Sequence, residues 1–105
     1  MARYYLSEAR RNAPVSTEIT GYALSALLYL DSLAPAASYR EAANRAAGFL
    51  VHEAWNERSA TFPFELASNG APSYAYFFDC GIIARGLMAA WRATGEHEYF
   101  DRAKE

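Results

Sequence analysis

The chain repeats itself at an offset of 60 residues, and that constrains its fold more than anything else in it. Gly21 matches Gly81, Leu27 matches Leu87, Tyr39 matches Tyr99 and Ala43 matches Ala103. Glu41 and Asp101 extend the match in charge, and Leu28 and Met88 extend it in size. A fixed period means one supersecondary unit used again, and such units bury their apolar faces by stacking on neighbours. Each copy reads as helix, turn, helix. The spacing predicts an all-α single domain over residues 1–105: one hairpin over about 16–55, a long loop over 56–75, and a second hairpin over about 76–105. The second copy stops partway through its outer helix, so it reads as truncated.

The helices differ in pattern within each copy. Ser16-Thr17-Glu18 offers a hydroxyl cap and a first-turn acid, which predicts a helix running to about Ser32. Its apolar residues, from Tyr22 to Leu33, wrap nearly all the way round, which predicts burial on most sides. Pro35 ends the turn, and Ser38-Tyr-Arg-Glu41 has the form of a capping box. The helix after it carries Tyr39, Ala42, Ala43, Ala46, Ala47 and Leu50 on one face, with Arg40, Glu41, Asn44, Arg45 and His52 on the other. That is an outer helix with one inward stripe. In the second copy Asp79 can cap an apolar helix that Thr94-Gly95 ends, and a last helix runs from Glu98 to Lys104. Alternating Phe62, Phe64 and Leu66 and the turn signal Asn69-Gly70 mark a long loop with a short hairpin. Residues 2–12 form a short amphipathic helix on this reading, broken at Pro14.

Composition narrows the function classes. Net charge is −2 with no basic stripe, so no nucleic-acid partner is expected. No apolar run exceeds five residues, the length of Ala26–Leu30, which is too short to span a bilayer, so no membrane partner is expected. The single cysteine, Cys80, excludes an internal disulfide and a cysteine-based zinc site. With no apolar leader at the N-terminus, it points to a reducing, cytoplasmic compartment. Neither a metal site nor a cofactor motif is present: His52-Glu53 lacks a second histidine at zincin spacing, and no glycine-rich phosphate loop or nucleophile elbow occurs.

At Thr17-Glu-Ile-Thr-Gly-Tyr22, and again at Phe78-Asp-Cys-Gly81 through Gly86-Leu87 and Thr94-Gly95, the chain resembles the helical-hairpin repeats of α/α-toroid proteins. These are the six-hairpin glycosidase-like and uronyl epimerase-like families. The resemblance covers residues 16–105. It implies one inner and one outer helix per repeat, six or so repeats closing a ring, and an active-site funnel at one end of the inner helices. The chain matches roughly a third of such a ring, so an autonomous enzyme is not expected from it. By this resemblance Glu18 and Asp79 sit at the funnel mouth, with Tyr22 one turn deeper.

Two carboxylates facing one cleft could act as general acid and base on a glycosidic bond or a sugar C–H. Glu18 and Asp79 are the candidate catalytic residues on that ground; complementing two helix N-termini is the simpler role for both. Trp55, Phe62, Phe64, Tyr74 and Tyr76 gather around the long loop and offer either a stacking platform for a carbohydrate ligand or a seal on the core. Arg85, between Ala84 and Gly86 in a largely apolar helix, either binds an anion, or snorkels to the helix edge or pairs with an acid. Cys80 reads as an inert thiol. The alternative to a carbohydrate-active toroid segment is a non-enzymatic interaction module, a homo-oligomer formed through apolar helix faces left uncovered.

Overall fold

The computed structural model describes residues 1–66 and 74–105. The Asn69-Gly70 turn lies outside the described residues. Four α-helices dominate: α1 (Thr17–Leu33), α2 (Ala37–Phe49), α3 (Phe77–Thr94) and α4 (His97–Lys104). α1 and α3 begin 60 residues apart, and so do α2 and α4, so the period seen in the residues is a period of elements.

The fold is not purely helical. Four two-residue strands, β1 (Tyr5–Leu6), β2 (Arg11–Asn12), β3 (Val15–Ser16) and β4 (Glu65–Leu66), form two small antiparallel sheets. The amphipathic helix expected over 2–12 is therefore replaced by a β1–β2 hairpin, with Tyr5 opposite Asn12 and Leu6 opposite Arg11. A segment that short has too few hydrogen bonds to offset helix nucleation without a face to pack on. Within the loop Asn56 bridges Thr61 in antiparallel fashion, and the Phe64 N–H donates to the Tyr74 carbonyl at 2.7 Å. β4 pairs with β3, Val15 opposite Leu66, so the loop returns to the start of α1.

α1 and α3 lie side by side. Gly21 meets Ile83, while Gly86 meets Gly21, Leu24 and Ser25; the contacts ascend together, so the helices run parallel. The approach is close enough that a Cβ on Gly86 would stand 2.9 Å from the Gly21 carbonyl oxygen. Gly81, the repeat mate of Gly21, faces open space instead. α2 packs on α1, and α4 packs on α3. The core joins Leu24, Ala43, Ala47, Leu50, Val51, Ala54, Phe62, Ile83, Leu87 and Ala90.

The α2 stripe expected inward is inward: Ala43, Ala47 and Leu50 are buried, and Arg40, Glu41, Asn44, Arg45 and His52 are exposed. α2 starts two residues before the Ser38 box, with Ala36 at its cap and no capping side chain of its own. Asp31 supplies the partner. Its Oδ1 accepts from the Ala36 N–H at 3.1 Å, and its Oδ2 accepts from Arg40 at 2.9 Å. α2 then widens into a π-helical turn, Leu50–Ala54, closed by the Trp55 N–H on the Leu50 carbonyl. In the second copy Gly95 closes α3 in the left-handed region at φ 78°, as its position predicts.

Burial on most sides of α1 does not hold. The molecule measures 20 Å in its shortest direction, about two helix diameters. α1 is covered on one side only: Leu24 is buried, while Tyr29 (64% exposed), Leu33 (65%), Tyr22 and Leu30 stand in solvent.

Candidate functional site

The parallel arrangement of α1 and α3 brings their N-terminal ends to the same edge of the molecule, and with them the two acids that begin the apolar helices. Ser16 caps α1, its hydroxyl oxygen accepting from the Ile19 N–H at 3.3 Å. Thr17 fixes the loop to the same helix end: its hydroxyl donates to the Pro63 carbonyl at 2.6 Å, and its N–H donates to the Phe64 carbonyl at 3.2 Å. Thr20 donates to the Ser16 carbonyl at 2.7 Å and accepts from the Met1 amino group at 2.7 Å. α3 starts without this apparatus; Tyr76 stands at its cap and offers no side-chain hydrogen bond.

Glu18 and Asp79 therefore occupy unlike environments. Arg3 donates to Glu18 Oε2 at 2.6 Å and to Ser16 Oγ at 3.4 Å, and its guanidinium lies over the Phe64 ring, 4.6 Å from the centroid. Asp79 is 6% exposed, and its Oδ2 is sealed from solvent with no hydrogen-bond partner among the described residues. Burial, and secondly the negative charge of Glu18, push the Asp79 carboxyl above the ordinary aspartate range; Arg3 offsets part of that rise. The edge thus presents one carboxylate held by a cation and one carboxyl that keeps its proton more firmly. Such a division separates acid and base roles in paired carboxylates.

The aromatic residues expected to share one platform divide among three places. Trp55, Phe62 and Tyr76 line a cleft of about 410 Å³ with Phe77, Cys80 and Arg102. Phe62 is buried there and meets Trp55 edge-on, 5.1 Å between centroids, so it seals the core. Arg102 covers the Trp55 ring and pairs with Glu57 at 2.7 Å and Glu105 at 3.0 Å. Phe64 stands instead at the carboxylate edge, edge-on to Tyr76 at 5.5 Å. Tyr74 is exposed, and its carbonyl accepts from the Phe64 N–H at 2.7 Å. Tyr22 and Arg85 lie away from all of these, in a shallow groove between α1 and α3. Cys80 is half-buried, its thiol directed to the Phe62 carbonyl at 3.8 Å. Among the described residues, no three His, Cys, Asp or Glu side chains come together as a metal site, and no helix is long and apolar enough to cross a membrane.

Arg3 is the site residue that the sequence pattern does not disclose. It sits in the segment read as a helix, and nothing local marks it as the partner of a residue 15 positions away. Only the folding of the β1–β2 hairpin against β3, through the Ala2–Val15 bridge and the Ser16 N–H on the Met1 carbonyl, carries it there.

Class and edge together define a mostly helical protein of two repeated helix pairs with an asymmetric carboxylate pair at one end. Comparison with protein-family models, with curated proteins and with solved structures gives no match to this chain.

Proposed function

We propose that the chain is a segment of an α/α-toroid wall of carbohydrate-active type, in which Glu18 and Asp79 are the acid–base carboxyls. One observation carries the reading: acids from two repeats stand at one helix edge within electrostatic reach of each other, Glu18 held by Arg3 and Asp79 buried with its Oδ2 lacking a hydrogen-bond partner among the described residues. General acid–base work on a glycosidic bond draws on two carboxyl groups of unlike surroundings, and burial raises the proton affinity of Asp79. The 60-residue period of the elements and the parallel run of α1 and α3 agree with hairpin units set side by side. Phe64, covered on one side by Arg3 and set edge-on to Tyr76, adds aromatic surface at this edge.

The test is ligand binding followed by thermal shift and by NMR of the acid carboxyls, using galacturonate and glucuronate oligomers alongside neutral oligosaccharides. The expected result is stabilisation at millimolar ligand that Asp79→Asn and Glu18→Gln each abolish. No shift with any of these sugars in the folded wild-type chain refutes a working sugar site at this edge.

A further inference from the structure

The face of α1 and α3 turned away from the core belongs to neither the carboxylate edge nor the cleft at Trp55. Two shallow grooves lie along it, of about 330 Å³ and 470 Å³. They share Ser25, Tyr29 and Arg85, so they form one continuous seam between the helices. The seam continues to Arg92 at one end and Tyr22 at the other. Leu30 and Leu33 of the same helix, α1, are also exposed. No acid lines either groove, and no lysine does. Among the described residues Arg85 makes no ion pair, and the Arg92 Nε–H donates to the Met88 carbonyl of its own helix. Tyr22, Tyr29, Arg85 and Arg92 are of the residue types enriched at the centres of protein interfaces, where lysine and acids are depleted; Ser25, Ala26, Ala89 and Ala93 form the shallow floor between them.

We propose that this seam docks an amphipathic helix of a partner protein whose apolar stripe is flanked by acidic residues. Parallel helices leave a groove between them that accepts the side-chain ridge of a third. Arg85 and Arg92 are seven residues apart, two turns or about 10 Å along α3, so the matching acids sit at i and i+7 on the incoming helix. A second copy of the chain is a poorer occupant: a two-fold pairing sets a seam with two arginines and no acid against itself. An acidic glycan is poorer for another reason: its sugar faces can stack on single rings such as Tyr29, but it carries no continuous apolar stripe to cover the length of the seam.

The probe is a 21-residue helical peptide with leucine on one stripe and glutamate at two flanking positions seven apart, titrated into the full chain and read by calorimetry. A second peptide carries lysine at both positions. The acidic peptide should bind at least about tenfold more tightly than the lysine peptide, since like charges across an interface repel. Arg85→Glu alone should erase that preference, and Arg85→Glu with Arg92→Glu, both at exposed positions, should reverse it, while circular dichroism verifies that the fold is retained. Equal binding of the two peptides, or none, overturns the proposal. So does a dimer at low micromolar concentration in sedimentation that Arg85→Glu dissociates, or polygalacturonate competing where the acidic peptide fails. None of these readouts touches Glu18 or Asp79, so this proposal and the sugar-site reading fail independently.

Discussion

The two helical pairs share spacing and order yet do different work, and the difference sits at matched positions. In the first pair α1 starts with Ser16 on its N–H groups and Glu18 held by Arg3. In the second, α3 starts at Tyr76 with no side-chain cap and carries Asp79 buried and unpartnered. The turn between helices differs too. Asp31 braces the first pair through Ala36 and Arg40, whereas the second closes with a left-handed Gly95. A repeat therefore fixes where helices begin, while contacts outside the repeat decide which helix ends are satisfied. The second unit keeps the unsatisfied end, and that is where the candidate chemistry lies.

The largest test of the comparison uses the leucines at matched positions. Leu87 is fully buried, whereas Leu27 is partly buried at the edge of the core. Leu87→Ala should cost about 2–5 kcal/mol through lost burial and the cavity left behind. Leu27→Ala should cost clearly less. Urea unfolding of both variants decides it, and equal losses would mean that the two pairs contribute alike to the core.

The matched glycines should differ in sign. A methyl at Gly21 would stand 3.0 Å from the Ile83 Cα, a backbone atom that cannot swing aside, so Gly21→Ala forces α1 and α3 apart. Overpacking of that kind costs about 1–3 kcal/mol. Gly81→Ala meets nothing within 4 Å and should gain about 0.5–1 kcal/mol from helix propensity alone. Opposite shifts in melting temperature would establish that the repeat conserves a residue type while the packing uses it once.

Smaller still is the cap. Ser16→Ala removes the acceptor for the Ile19 N–H and should cost about 1 kcal/mol. Tyr76→Ser supplies a cap that α3 lacks and should stabilise by a fraction of that amount. If Ser16→Ala has no effect, the Thr17 and Arg3 contacts hold this helix end without it.

These pairs also mark what could be read without coordinates. The helix period is local, so the order of the four helices, the α2 stripe from Ala43 to Leu50 and the Gly95 terminus follow from residue spacing. The Ser16 cap is equally local. What depends on tertiary context does not: the β1–β2 hairpin, the β3–β4 pairing and Arg3 on Glu18 all join residues far apart in the chain. The wrapping of apolar residues around α1 was legible, but its meaning was not, because one layer of partners covers only one side. The pairing of Glu18 with Asp79 was legible as two helix starts; that they share an edge follows from the parallel run of α1 and α3, which no spacing specifies.

The smallest effect is the most specific, because it depends on pH. Asp79 keeps its proton in the folded protein above the ordinary aspartate range, owing first to burial and then to the Glu18 charge. As pH rises past the ordinary value, the unfolded chain releases that proton while the folded chain still holds it. Folding then loses stability with rising pH until folded Asp79 also ionises, and the deficit stays constant above that point. Asp79→Asn removes the titration while keeping the shape. The variant should match wild type near pH 3 and exceed it at pH 7, with the gap opening across the interval between the two aspartate values. Asp31 provides the opposite control. The Arg40 hydrogen bond lowers its carboxyl below the ordinary range, so its contribution is present above that range and fades as pH falls through it. Asp31→Asn should therefore lower stability at pH 7 and converge on wild type in acid. Melting curves from pH 3 to pH 7 test both; a gap between Asp79→Asn and wild type that does not change with pH would remove the electrostatic asymmetry on which the carboxylate pair rests.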